Sequence, residues 1–217
     1  MPWVALLGAI VVCAGGALAA ATVDRRLAIL GLAVALVAAP LIGTRAPDLL
    51  SLAFREVAAL TGTYLLWIAS GGGRPIERRE DGPLFPALFV VLAFVGALIL
   101  APALGPNRGP IVGLAAAAGA AMAALALSVR AADLLIGGLS AILLLLAASL
   151  ATTGLAGIAG ALEHAVIGAA LLAVSAAAAF VGSSESSPTT VTPADVEPDP
   201  TPGPQDSFAT LVEPPAS

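Results

Sequence analysis

Four ionisable side chains lie within stretches of sequence that are otherwise apolar. Arg55 and Glu56 occur in one such stretch, and Glu163 and His164 in another. An ionisable group inside a membrane is costly, so its presence suggests a functional site. A carboxyl group among apolar groups holds a proton more readily than in water, and histidine titrates near neutrality, so these residues could form a proton relay. Alternatively, Arg55 and Glu163, or Glu56 and His164, pair across helices and stabilise the packing.

Other kinds of reactive site are not indicated. The sequence has no nucleophile–base pair and no HExxH motif, and it contains one histidine and one cysteine. Gly71-Gly72-Gly73 precedes Arg74-Pro75, which predicts a flexible turn rather than a phosphate-binding loop. Cys13 lies in an apolar run, which predicts a small core residue rather than a metal ligand. We therefore expect no catalytic activity of the chain alone, no metal and no cofactor.

The composition is that of a membrane protein. Of the 217 residues, 59% are hydrophobic and 11% are charged, whereas a soluble domain has roughly a quarter of its residues charged. The net charge is −5, and all nine basic residues are arginine. No basic patch is present, which argues against nucleic-acid binding. The expected surroundings of the chain are a lipid bilayer.

Apolar runs of membrane-spanning length recur along the chain. A transmembrane helix needs about 20 mostly apolar residues, and unpaired backbone groups are not tolerated in lipid, so these runs should be helices. The alternation that a β-barrel would need is missing. The sequence therefore predicts an all-α, polytopic membrane helix bundle of about seven transmembrane helices. The predicted spans are 2–22, 27–43, 49–69, 84–103, 110–128, 132–152 and 155–182.

Arginine placement predicts the orientation, because basic residues are enriched in cytoplasmic loops. With seven spans, Arg45 and Arg108 fall on one side. The opposite side holds Arg25, Arg26, Arg74, Arg78, Arg79 and Arg130. This distribution predicts a multi-pass protein of the inner (plasma) membrane, with the N-terminus outside and the C-terminus in the cytoplasm.

The chain divides into two parts of different character. Residues 1–182 form the predicted transmembrane domain. Residues 183–217 are rich in Pro, Ser and Thr, are acidic and contain no basic residue. Such a segment cannot bury enough apolar surface to offset its ordering entropy, so we expect a disordered cytoplasmic tail.

The first three spans resemble the last three. Residues 53–59 align with residues 160–166, which places Glu56 on Glu163. This alignment predicts two parallel three-helix repeats, 2–69 and 110–182, joined by a linker helix at 84–103. The alternative is chance similarity between helices that are rich in Ala and Leu.

The pattern resembles the K subunit of NADH-quinone oxidoreductase, a member of the complex I superfamily, and in length it is more similar to hydrogenase-4 component E. The resemblance is carried by an Arg-bearing loop and a third helix with a buried Glu. The matching segments are 23–30, 51–66, 129–139 and 158–173.

The resemblance implies roles for several residues. Glu56 and Glu163 would take the place of the family's third-helix Glu in a proton path, and Arg25 and Arg26, with Arg130 in the second unit, would form the cytoplasmic loop. The family's middle helix carries a second buried Glu, which the interiors of spans two and six lack. The chain would then be a non-catalytic membrane subunit of a proton- or cation-translocating oxidoreductase or hydrogenase-like complex, with other membrane subunits as partners.

Two further interpretations stay open from the sequence. One is a small stand-alone transporter built from parallel three-helix repeats. The other is a structural membrane protein whose tail recruits a partner. Transport by the purified chain would favour the first, and loss of the role on deletion of residues 183–217 would favour the second.

Overall fold

In a computed structural model, the described residues form a bundle of seven α-helices, which confirms the predicted all-α architecture. The structure describes residues 2–43, 49–72, 84–100, 111–129, 134–156 and 161–185, and no strand occurs among them. Short 3-10 helices extend α2 and α3. The helices are α1 (Pro2–Ala21), α2 (Arg25–Ala38), α3 (Leu49–Ala69), α4 (Leu84–Leu100), α5 (Ile111–Ser128), α6 (Leu134–Ala156) and α7 (Ala161–Glu185).

Six of these helices are long and apolar enough to cross a membrane, namely all except α4. The described part of α4 has 17 residues, which corresponds to about 26 Å at the rise of an α-helix. It packs against α1 and α5. The last residues of the predicted fourth span, 101–103, lie outside the described residues. The chain is therefore a multi-pass helical membrane protein.

The end of α6 differs from the prediction. Helix α6 continues to Ala156 instead of ending at residue 152, so residues 155 and 156, predicted to begin the last span, belong to α6. The described part of α7 begins at Ala161. The hydroxyls of Thr152 and Thr153 each donate to the backbone oxygen of Ser149, at 2.9 Å. Because this bonding occupies the hydroxyls within the helix, the threonines do not interrupt it.

The last helix also ends later than predicted. Helix α7 continues to Glu185 instead of residue 182, so the beginning of the predicted tail is helical. The remainder of the tail, 186–217, lies outside the described residues.

Helices α1 and α2 form one antiparallel pair and α5 and α6 form another, and in both pairs small residues allow close contact. In the α1–α2 pair, a Cβ added at Gly15 would lie 2.5 Å from the backbone oxygen of Gly31. In the α5–α6 pair, Ser140 donates to the backbone oxygen of Ala124 at 2.8 Å. Glycine and alanine at such interfaces let helix backbones approach closely, which is how helices associate where water provides no hydrophobic driving force.

Helices α1 and α5 pack in parallel. A Cβ added at Gly16 would lie 3.3 Å from the Cβ of Ala123, and one added at Gly119 would lie 3.8 Å from the Sγ of Cys13. Gly16 and Ala123 are matched by the same alignment that matches Glu56 with Glu163. Cys13 is buried in this contact. The helices in equivalent positions of the two predicted repeats thus run in the same direction, and the repeat itself stays a prediction.

Candidate functional site

The four ionisable residues lie where α3 packs against α7. Small residues on α3 and α7 bring these two helices close together, since a Cβ added at Gly62 would lie 2.6 Å from the Oγ of Ser175. Near the other end, a Cβ added at Gly168 would lie 3.0 Å from the Phe54 ring. Residue numbers increase together along both helices, so α3 and α7 run in parallel, and their N-terminal parts lie side by side.

Arg55 and His164 meet across this interface. A terminal guanidinium nitrogen of Arg55, Nη1, lies 3.2 Å from Nδ1 of His164. The two side chains are buried, with exposed fractions of 4% and 7%. Arginine can only donate a hydrogen bond, so Nδ1 must accept it. The contact therefore requires a neutral imidazole that carries its hydrogen on Nε2.

This pairing differs from both pairings considered from the sequence. The sequence suggested that Arg55 pairs with Glu163, or that Glu56 pairs with His164. In the structure, the hydrogen bond joins Arg55 with His164. The carboxylates of Glu56 and Glu163 do interact electrostatically with Arg55. Residues that adjoin in sequence point about 100° apart on a helix, so only one of each neighbouring pair can face the partner helix directly.

Two polar atoms in this cluster lack a hydrogen-bond partner within the described part of the chain. They are Nη2 of Arg55 and Oε1 of Glu56, and both are buried. One is a donor and the other an acceptor. A buried polar group without a partner costs roughly 1–3 kcal/mol, and more when it is charged. Such atoms are normally satisfied by water or by another molecule.

Glu163 is in the first turn of the described part of α7, and Arg55 is about 9 Å into α3 at the rise of an α-helix. Oε1 of Glu163 lies 2.7 Å from the hydroxyl of Thr152 on α6.

Sequence reasoning missed the Thr152 hydroxyl, which joins α6 to this cluster. Thr152 is the last residue of the predicted span 132–152. The signal available in the sequence was the short distance along the chain between Thr152 and Glu163, because two helices joined by a tight connection bring such residues together.

The arginine-bearing loop lies at the opposite end of the bundle. Asp24 caps α2 and accepts a hydrogen bond from the backbone nitrogen of Arg26 at 2.8 Å. The guanidinium of Arg26 lies 5.4 Å from the centre of the Trp67 ring at the end of α3. This contact places Trp67 beside the Arg25–Arg26 loop. Arg130 lies outside the described residues.

The described residues contain no group of three or more His, Cys, Asp and Glu side chains that could hold a metal ion. The ionisable side chains at the α3–α7 interface are an arginine, a histidine and two carboxylates. These groups can hold and transfer protons and can attract ions.

Comparison with known proteins gives no match. No family model fits the chain, and no curated protein or solved structure is similar to it. The resemblance to the K subunit consequently rests on the short motifs alone.

Proposed function

We propose that this chain is a non-catalytic membrane subunit of a proton- or cation-translocating complex, with proton-relay groups at the α3–α7 interface. The observation that supports this proposal is a pair of buried polar atoms on Arg55 and Glu56 that find no partner in the described part of the chain. In a membrane, partners for such atoms come from a water-filled path or from a neighbouring protein. A subunit of an ion-translocating complex has both.

The geometry supports a role for each member of the proposed relay. Glu56 is the group that takes up and releases the proton, because its buried oxygen Oε1 has no competing hydrogen bond from the described residues. His164 can take up a second proton only at Nδ1, which is the atom that Arg55 contacts. Arg55 must therefore leave His164 before the imidazole can carry a proton. Glu56 and Glu163 both attract Arg55 and are its alternative partners.

The type of complex and the orientation follow from the sequence. The Arg-bearing loop and the third-helix Glu support an oxidoreductase or hydrogenase-like complex of the complex I superfamily. The distribution of arginines supports the plasma membrane, with the N-terminus outside and the C-terminus in the cytoplasm. In this orientation Arg55 and His164 lie nearer the outer surface, and the Arg25–Arg26 loop lies at the cytoplasmic surface.

Replacing Glu56 with glutamine is expected to lower proton flux on the order of a hundredfold, because an amide of the same shape cannot carry the proton. The measurement has two stages. The protein is first purified from its native membrane in mild detergent and its companions are identified by mass spectrometry. The assembly is then reconstituted into vesicles that contain a pH-sensitive dye.

Asp24→Asn is the matched control for this variant. It makes the same carboxylate-to-amide change outside the helices, and asparagine caps a helix as well as aspartate does. We expect this control to leave flux unchanged. Recovery of the chain without fixed companions would contradict the subunit proposal, and normal flux in Glu56→Gln would contradict the relay.

A stand-alone transporter is the second candidate. The observation that favours it is the parallel packing of α1 with α5 and of α3 with α7, since parallel repeats are a known architecture of transporters. Ion or solute movement by the purified chain alone would support this candidate over the subunit.

A further inference from the structure

The outward face of α3 differs from that of the other helices because it carries polar side chains well inside the helix. Glu56 is half-buried, and Thr61 and Tyr64 are exposed. In the described parts of α1, α2, α4, α5 and α7, the outward-facing residues between the first and last turns are apolar. On α6 the exception is Thr152, whose hydroxyl bonds to Glu163. Lipid chains offer no hydrogen bonds, so polar side chains of membrane helices normally face protein or water.

Glu56 shares one side of α3 with exposed apolar and aromatic residues. Residues four apart lie nearly above one another on a helix, so Glu56, Leu60, Tyr64 and Ile68 form a row, which we call the α3 outer stripe. Leu60 and Tyr64 have exposed fractions of 56% and 64%. Helix α3 begins at Leu49, so Glu56 is about 10 Å into the helix at the rise of an α-helix. A carboxylate at this depth needs a polar partner.

The ionisable groups beside this stripe carry an unbalanced charge. Arg55 interacts electrostatically with both Glu56 and Glu163, and its contact with His164 requires a neutral imidazole. One positive and two negative side chains therefore leave one negative charge in excess among these four residues. An uncompensated charge inside a membrane is costly. A second positive group beside Glu56 would remove the excess.

We propose that the α3 outer stripe is the docking surface for a transmembrane helix of another membrane protein, which brings a lysine or arginine side chain to Glu56. The proposal rests on the proposed function, because it names the partner of the same site. Leu60, Tyr64 and Ile68 supply the contact area for the incoming helix. A basic side chain in a membrane is as costly as a carboxylate, so each partner offsets the cost of the other.

A second copy of this chain does not fit the same surface. Two copies related by a two-fold axis along the membrane normal would place α3 against α3, with the two Glu56 side chains at equal depth. Like charges in such a position repel each other. The neighbouring basic residue, Arg55, is buried and bonded to His164. Neither copy would therefore supply the missing cation from this site.

The test is photo-cross-linking of the full-length chain in its native membrane. The photoreactive amino acid benzoylphenylalanine replaces Leu60 in one variant. In the matched control it replaces Leu92 on α4, because the two leucines are equally exposed, at 56% and 55%. We expect the Leu60 variant to form a covalent product with another protein, and mass spectrometry should place the captured peptide in a transmembrane helix with Lys or Arg within one turn. The Leu92 variant should not capture this helix.

Charge reversal tests the contact with Glu56 itself. Glu56→Lys should lower the yield of the Leu60 product about tenfold, because it replaces an ion pair by two like charges. Replacing the identified basic residue of the other protein by glutamate should then restore the yield to within about twofold. If Glu56→Lys does not fold, the captured peptide decides, because its identification needs no change at Glu56.

Four outcomes would overturn the proposal. They are lipid adducts alone at Leu60, a product of two copies of this chain, a captured peptide without Lys or Arg within one turn, and an unchanged yield in Glu56→Lys. Cross-linking reports contact and not ion flux, so the two proposals fail separately. Lipid adducts alone in a complex whose flux depends on Glu56 would contradict only the docking surface. The expected product in a complex with normal flux in Glu56→Gln would contradict only the relay.

Discussion

Replacing His164 with leucine is expected to lower the free energy of unfolding by about 3 kcal/mol, or roughly 6–12 °C in the unfolding midpoint. The reason is that the substitution leaves the buried Arg55 guanidinium without the hydrogen-bond acceptor that it has in the structure. The loss is measured by heating the protein in detergent and following the reactivity of Cys13, the sole cysteine.

The double variant Arg55→Met/His164→Leu should recover part of this loss, because it removes the unpaired buried guanidinium but also removes the cation that attracts Glu56 and Glu163. Thr63→Val is the matched control on α3. Thr63 is also buried, but its hydroxyl bonds only to backbone oxygens of its own helix, so we expect a change of about 0.5 kcal/mol or less. Equal midpoints for His164→Leu and Thr63→Val would contradict the Arg55–His164 contact.

Adding one methyl group at Gly15 is expected to cost about 1–3 kcal/mol. In Gly15→Ala the new Cβ would lie 2.5 Å from the backbone oxygen of Gly31 and 2.9 Å from the backbone nitrogen of Ala35. Because both are backbone atoms, α1 and α2 must move apart to accommodate it. The same assay of Cys13 reactivity on heating measures the loss.

Gly96→Ala on α4 is a control for which we expect an increase, rather than a decrease, in stability. A Cβ added at Gly96 meets nothing within 4 Å, so the change should stabilise the helix by roughly 0.5–1 kcal/mol through the higher helix propensity of alanine. A Gly15→Ala protein that is as stable as Gly96→Ala would show that α1 and α2 are not in backbone contact.

Helix number and most helix positions were predictable, because the length of each apolar run matches the thickness of the bilayer. Charged segments, or segments with Pro and Gly, separate these runs. The end of α6 was not predictable. Thr152 and Gly154 look like a helix break in the sequence, yet the threonine hydroxyl bonds within its own helix and α6 continues to Ala156. Whether a threonine ends a helix depends on the hydrogen bond that its hydroxyl makes, and the sequence alone does not show which bond that is.

The members of the α3–α7 cluster were predictable, but the pairing of Arg55 with His164 was not. Ionisable residues in apolar runs are conspicuous, whereas pairing depends on how far each helix is rotated about its axis. An amphipathic helix reveals that rotation through its apolar stripe. Helix α7 is apolar on most sides, and its rotation is set instead by small-residue contacts such as that of Gly62 with Ser175.

The measurement that tests the central claim most directly is the ¹⁵N NMR spectrum of His164, the sole histidine, in the reconstituted protein. A label on histidine reports this one ring, so its two nitrogens can be assigned without ambiguity. We predict a neutral imidazole at pH 7 with hydrogen on Nε2 and none on Nδ1, and a change in the Nδ1 signal in Arg55→Met. Hydrogen on Nδ1, in either the other tautomer or the imidazolium, would contradict the Arg55–His164 contact on which the account rests.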